Sequence, residues 1–237
     1  MHDRYHNLCI LLAGGKGLRL GGITPKQYLE VDGHMIIEYA LKSMLLWKEM
    51  DSLVIVADSE WTDKIDKVLE AILDDTNVVF IGYAAPGTSR QESILSGLKY
   101  AKEHMDNDGI VAIHDSARPF VSERLICECF DKMESFDGAT PMLQVKETVY
   151  ESIDGIALSR NLNRDSLFIG QTPEFFHFGV YLKANERLSR EELECVRGSA
   201  QPAVESGMKV AVATGEESNI KITTVEDLEL FKRLMER

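Results

Sequence analysis

The run Leu8-Cys9-Ile10-Leu11-Leu12 leads directly into Ala13-Gly14-Gly15-Lys16-Gly17-Leu18-Arg19-Leu20-Gly21-Gly22, and then into Thr24-Pro25-Lys26-Gln27. An apolar run that ends in glycines reads as a buried strand turning sharply toward a ligand. Glycine admits positive φ and lets the backbone pass close to a bound group with no Cβ in between. Successive N–H groups in such a loop converge on phosphate oxygens. Arg19 and Lys26 set two cations beside that cradle, and this combination is what a nucleoside triphosphate site requires. Leu20 stands where the dinucleotide fingerprint needs its third glycine, and the Gly-Lys-Ser/Thr ending of a phosphate loop is missing. A purely structural strand-to-helix turn uses glycines as well.

Working outward, 237 residues suit a single α/β domain spanning 1–237. A net charge of -13 argues against a nucleic-acid or membrane-surface binder, so cations that meet an anionic ligand must be gathered locally. No apolar run approaches the ~20 residues of a membrane span, and the Met1–His6 start carries no signal-peptide core. The four cysteines, Cys9, Cys127, Cys129 and Cys195, have neither disulfide-framework nor zinc-site spacing. The expected setting is a reduced cytoplasm.

Strand-like runs alternate with helical periodicity, the pattern of a mainly parallel sheet. Leu53–Ala57, Val78–Ile81 and Ile110–Ile113 read as further strands, and the last ends at His114-Asp115. Helices are predicted over Trp61–Leu73, with Ile65, Leu69 and Ile72 in phase, and from about Ser122 to Met133. The expected fold is a Rossmann-like, twisted, mainly parallel sheet with helices on both faces. In open sheets of this kind ligands bind beyond the carboxyl ends of the strands, where the glycine loop and His114-Asp115 both fall. Residues 146–160 depart from the pattern: β-prone runs on either side of Asp154-Gly155 read as a hairpin arm that protrudes from the body. Asn219–Thr224 reads as a closing strand, leading to a helix capped at Thr224 with Asp227 three residues on.

Three constellations carry chemistry. Gly87-Thr88-Ser89-Arg90-Gln91-Glu92-Ser93 opens a helix whose free N–H groups and hydroxyls suit a base or ribose edge, or simply form a capped helix start. His114-Asp115-Ser116-Ala117-Arg118-Pro119 puts an acid and an arginine three apart at a strand end, fit for metal or hydroxyls on one side and phosphate on the other, or for a mutual salt bridge. Lys221 lies in an apolar run, where an ammonium is costly unless an anion meets it.

The opening loop is similar to the Ala-Gly-x-Gly-x-Arg-x-Gly…Pro-Lys-Gln signature of the sugar nucleotidyltransferases, and within them of the cytidylyltransferases that act on polyol phosphates. Further segments resemble that family in order. Arg90–Leu98 resembles Arg-x-x-Ser-Val-x-x-Gly-Leu, and His114–Pro119 resembles His-Asp-Ala-Ala-Arg-Pro. Asn163-Arg164 with Gln171-Thr172-Pro173-Glu174-Phe175-Phe176 resembles an Asn-Arg pair and Gln-Thr-Pro-Gln-x-Phe. Asn219–Thr223 resembles Asn-Ile-Lys-Val-Thr.

The resemblance implies transfer of CMP from CTP to a polyol phosphate, with Mg2+ as the divalent ion and a homodimer as the assembly. It assigns Arg19, Lys26 and Lys221 to catalysis. Ala13, Gly14, Gly15, Gly17, Gly87, Ser93 and Asp115 would bind the nucleotide. Asp115, Arg118, Thr148, Arg164 and Thr172 would bind the acceptor, Thr148 reaching the site of the neighbouring subunit. Asp115 is the candidate metal ligand.

Two acceptors compete, ribitol 5-phosphate and a methylerythritol phosphate. Leu12-Ala13-Gly14-Gly15, Glu147-Thr148-Val149-Tyr150, a Phe168-Ile169-Gly170 run without tryptophan and Val204-Glu205-Ser206-Gly207 favour ribitol. Arg197-Gly198-Ser199-Ala200 lacks the aspartate that the family carries there, and Pro202 is expected to interrupt the following helix. A nicotinamide dehydrogenase is excluded by the failed fingerprint. A non-catalytic nucleotide-binding module would lack Lys26 or Lys221, and both are present.

Overall fold

The computed structural model describes residues 4–15 and 24–236. Its centre is an eight-stranded sheet. β1 (Tyr5–Leu12) is flanked by β4 (Ser52–Val56) and β6 (Met105–Asp115), both parallel to it, and β5 (Val79–Ala84) continues the parallel half beyond β4. On the far side of β6 run β11 (Glu174–His177), β7 (Gly138–Gln144) and β10 (Phe168–Gly170), each antiparallel to its neighbour, while β12 (Val210–Thr214) pairs parallel with β7. The expected α/β architecture, a mainly parallel sheet with helices on both faces, is the one observed.

The apolar run that opens the chain explains the layering. Successive side chains of a strand point to opposite faces, and in β1 both faces are covered. Cys9 and Leu11 pack with α1 (Ile36–Met44), α2 (Thr62–Leu73) and α4 (Glu123–Asp131). Leu8 and Ile10 pack with α3 (Arg90–Ala101), α5 (Phe178–Glu186), α6 (Arg190–Cys195) and α7 (Ala200–Glu205). A strand buried on both sides has no polar alternation to show. Gly97 sets how near α3 comes: a Cβ there would lie 2.8 Å from Cγ2 of Ile10 and 3.1 Å from Cγ2 of Val56. A third, smaller cluster of Val31, Ile36, Ile222 and Phe231 docks α8 (Val225–Met235) against the short ribbon β2 (Glu30–Val31) and β3 (His34–Met35).

Three expectations are corrected. Asn219–Thr224 forms no strand: the chain bends at Asn219, the Ile222 N–H donates to the Ala117 carbonyl at 2.9 Å, and the buried Ile222 side chain holds the segment in the third cluster. The helix that follows is capped as expected, with the Thr224 hydroxyl and the Asp227 carboxylate bonding reciprocally. The hairpin exists, but its strands are β8 (Val149–Glu151) and β9 (Arg160–Leu162), so Ile156-Ala157-Leu158 lies in the connecting loop. Ser152 and Asp154 explain this, because their side chains bond loop groups at residues 155–157 and replace a two-residue turn. Pro202 does not interrupt a helix. It sits in the first turn of α7, where its missing N–H would have had no intrahelical partner.

Candidate active site

The glycine loop leaves β1 at its carboxyl end, and three groups fix its first residues. The Ala13 N–H donates to the Val56 carbonyl at 2.8 Å. The Gln27 side-chain amide donates to the carbonyls of Ala13 and Gly15, and the Tyr28 hydroxyl donates to the Ala13 carbonyl at 3.0 Å. Gln27, in the Pro-Lys-Gln tail, is thus a strut for the loop, and Tyr28 is itself stacked on Trp61 at 4.1 Å. Gly14 must be glycine: a Cβ would lie 2.3 Å from Cβ of Pro86. Lys26 opens the 3-10 turn Lys26–Tyr28 directly after Pro25. Gly17 and Arg19 lie outside the described residues.

Asp115, the last residue of β6, is the centre of the charge cluster. Its Oδ1 accepts from Nε and Nη2 of Arg90 at 3.0 and 2.8 Å, and its Oδ2 meets Nζ of Lys221 at 2.7 Å. Burial pushes its carboxyl up, but Arg90 and then Lys221 outweigh burial and hold it far below the usual carboxylate range. Lys221 therefore has the anion that its apolar surroundings demanded. The alternative reading, a mutual salt bridge of Asp115 with Arg118, is not what forms: these two pairings take its place.

Arg118 is buried and donates from Nη1 to the Asn219 carbonyl at 2.6 Å, while its Nε and the Oδ1 of Asn219 are buried without a hydrogen-bond partner. Asn219 in turn donates from its side chain to the Thr172 carbonyl at 2.9 Å. Gln171 exchanges bonds with the backbone of Glu216, accepting its N–H at 2.9 Å and donating to its carbonyl at 2.8 Å. These ties hold the segment carrying Lys221 against the end of β6.

Thr172 links the two. Its Oγ1 accepts the Asp115 N–H at 3.2 Å and lies 3.0 Å from Nδ1 of His114, whose Nε2 is 3.1 Å from the Arg118 carbonyl. A carbonyl only accepts, so Nε2 carries the imidazole proton and Nδ1 accepts from Thr172. Burial pushes the His114 imidazole down to about 4, against the pull of Asp115, which keeps it neutral in this role.

At the start of α3 the Ser89 side chain caps the helix by accepting the Glu92 N–H at 3.1 Å. Ser93 donates to the Ser89 carbonyl and accepts the Gly87 N–H, each at 3.0 Å, so it shapes the 87–93 turn. Thr148 and Arg164 come together elsewhere: they line one surface cleft on the arm with Asn161 and Asn163, and Arg164 donates to the Lys146 carbonyl at 2.7 Å.

The sequence reading brings Asp115, Lys221, Arg118 and Thr172 to one place, yet misses Arg90, Asn219 and Glu174 as members. Glu174 was findable. An acid leading the apolar run Glu174-Phe175-Phe176 poses the same question that singled out Lys221.

A glycine loop and a cation–carboxylate cluster at the carboxyl ends of a mainly parallel sheet define a nucleotidyltransferase. The 2-C-methyl-D-erythritol 4-phosphate cytidylyltransferase (IspD) family matches residues 8–237, and the chain belongs to this family. It is 34% identical to the 2-C-methyl-D-erythritol 4-phosphate cytidylyltransferase of Clostridium botulinum, over 96% of this chain and 98% of that one. It is 30% identical to the ribitol-5-phosphate cytidylyltransferase of Lactiplantibacillus plantarum, over 96% of this chain and 97% of that one. The crystal structure of 4-diphosphocytidyl-2C-methyl-D-erythritol synthase from Anaerococcus prevotii superposes with a TM-score of 0.80 at 28% identity, covering 99% of this chain and 100% of that one.

Proposed function

We propose that this protein transfers CMP from CTP to D-ribitol 5-phosphate, releasing pyrophosphate and forming a CDP-polyol. An oxygen of the acceptor phosphate attacks the α-phosphorus of CTP, and the bond to the bridging oxygen of the β-phosphate breaks. The acceptor phosphate is already an anion, so no protein nucleophile is needed. Catalysis rests on positioning and on charge neutralisation at the five-coordinate phosphorus. Ala13, Gly14, Gly15 and Gly17 cradle the triphosphate with Arg19 and Lys26, and Gly87 and Ser93 form the nucleotide's base side. Lys26 and Lys221 face the transferred phosphate, Arg118 and Thr172 serve the acceptor, and Thr148 and Arg164 serve it from the arm of a second copy. The observation that carries this reading is the Lys221–Asp115–Arg90 cluster: an ionised carboxylate keeps a lysine aimed at the end of the sheet where the glycine loop emerges.

Asp115 suits a hard cation, because its carboxyl is held ionised and, among the described residues, its Oδ2 is met by a lysine alone. It would hold Mg2+ together with the CTP phosphates, and the ion would supply further charge neutralisation there. We read residues 1–237 as one nucleotidyltransferase domain and the 146–160 hairpin as the arm of a homodimer. Ile153 and Ile156 on that arm are 89% and 90% exposed, which supports a second copy as their cover. Among the described residues no helix is long and apolar enough to cross a membrane. A cytoplasmic setting fits four free cysteines, of which Cys127 and Cys195 are exposed.

The acceptor is argued from the Glu147–Tyr150 and Phe168–Gly170 segments, which favour ribitol 5-phosphate. The second reading, 2-C-methyl-D-erythritol 4-phosphate, is favoured by the family match and the 34% identical relative. Pyrophosphate release with CTP, Mg2+ and each acceptor in parallel tests both. Turnover with ribitol 5-phosphate alone is expected. Turnover with the methylerythritol phosphate alone would reverse the assignment, and release with neither would overturn the function.

A further inference from the structure

Behind Asp115 the cluster continues inward. Arg90 donates from Nη1 to the Ser199 hydroxyl, and its Nη2 lies 4.0 Å from Oε2 of Glu174. Burial pushes the Glu174 carboxyl up, while Arg90 first and then the Ser199 hydroxyl favour its ionised form; Thr140 donates to Oε1 of Glu174 at 3.5 Å. Glu174 and Ser199 are 6% and 1% exposed, and the Ser199 carbonyl is pinned by the Tyr181 hydroxyl at 2.9 Å. One guanidinium, with a third of its side chain exposed, therefore stands between two buried carboxylates, one facing the site and one facing the core.

The charge count gives this arrangement a purpose. Arg90 and Lys221 pair with the single anion Asp115, and the buried Arg118 adds a third cation to the cluster. An uncompensated buried charge is strongly destabilising, and Glu174 supplies a second anion. It also anchors the guanidinium from behind. So anchored, Arg90 takes only Oδ1 of Asp115 and leaves Oδ2 to Lys221. The chain departs from the sequence pattern it resembles at two places that are remote in sequence. Position 174 is glutamate where the pattern has glutamine, and the 197–200 segment lacks an aspartate.

We propose that Glu174, beside Ser199, is a positioning residue that supplies counter-charge to Arg90 from β11, and so aims Asp115 and Lys221 for transfer. This inference rests on the cytidylyltransferase reading. Its test compares wild type, Glu174→Gln, and the charge-relocated double variant Glu174→Gln/Ser199→Asp, using pyrophosphate release for kcat and KM and calorimetry for CTP affinity. Glu174→Gln is expected to lower kcat at least tenfold with CTP affinity within threefold of wild type, and the relocated charge to recover most of that loss. Wild-type kcat in Glu174→Gln, or a double variant no better than the single one, overturns the proposal.

Should Glu174→Gln fail to melt cooperatively, Ser199→Ala takes its place. A severalfold fall in kcat at unchanged CTP affinity then supports the proposal, and wild-type kinetics overturns it. Wild type silent with every acceptor would instead refute the functional reading. The placement is then read from melting temperatures: Arg90→Met and Glu174→Gln are expected to be strongly non-additive, and additive shifts overturn it.

Discussion

Lys221 shows how a single side chain acquires a role from its surroundings. Its neighbours Ile220 and Ile222 are held in an apolar cluster, its carboxylate partner is buried, and a little over a third of its side chain remains open, at 37%. Lys221→Met keeps the apolar stem and removes the charge. If the ammonium acts as a transition-state donor, the loss is about 3–4 kcal/mol, or roughly 10²–10³ in kcat, read by pyrophosphate release. CTP binding by calorimetry is expected to change far less.

His114 makes a second expectation at the same scale. Its folded value, about 4, lies below the ordinary 6.5, so the unfolded chain binds the extra proton first as pH falls. The stability tied to the neutral imidazole is complete above pH 6.5 and is lost progressively down to pH 4. The full loss is about 3 kcal/mol at 1.36 kcal/mol per unit. Urea unfolding between pH 4 and 7 should show this slope, and His114→Gln should flatten it.

At the scale of elements the arm stands out by its exposed apolar tip. Leu158 is 69% exposed, beside the even more open Ile153 and Ile156. Fully covering one such side chain contributes about 1.5–3 kcal/mol. Ile153→Asp/Ile156→Asp is therefore expected to convert a dimer to monomers at micromolar concentration in sedimentation equilibrium, with the melting temperature of the monomer unchanged. A wild-type monomer would remove the arm's proposed role.

The glycine loop offers a second element-scale test. Gly14→Ala drives a methyl into Pro86, a ring that cannot swing aside, at a cost of about 1–3 kcal/mol. The change should appear as weaker CTP binding or a lower melting temperature.

Over the whole molecule, the parallel half of the sheet was legible and the antiparallel half was not. Leu8–Leu12 of β1, β4, most of β5 and Ile110–Ile113 of β6 are apolar on both faces and announce themselves as continuous runs. β10 and β11 have only three and four residues, and β11 begins with a charged residue that makes sense only once Arg90 stands beside it. Asp115, Arg118, Thr172 and Lys221 could be named from spacing and resemblance. The couplings among Arg90, Glu174 and Ser199 span many tens of residues in sequence, and no local pattern encodes them. The surface follows the composition: with 39 acidic and 26 basic residues, the protein should give no gel shift with duplex DNA at about 0.1 M salt.

Gly97 carries the last consequence. The space left by its absent side chain sets the height at which α3 rides over Ile10 and Val56. Arg90 begins that same helix, ~10 Å along its axis at 1.5 Å per residue. The helix is thus a lever whose fulcrum is a gap one methyl wide. A substitution at that fulcrum would re-aim the guanidinium without touching a single group that meets substrate. Loss of turnover in a natural variant of this protein should therefore be traced along α3 as well as around the phosphates.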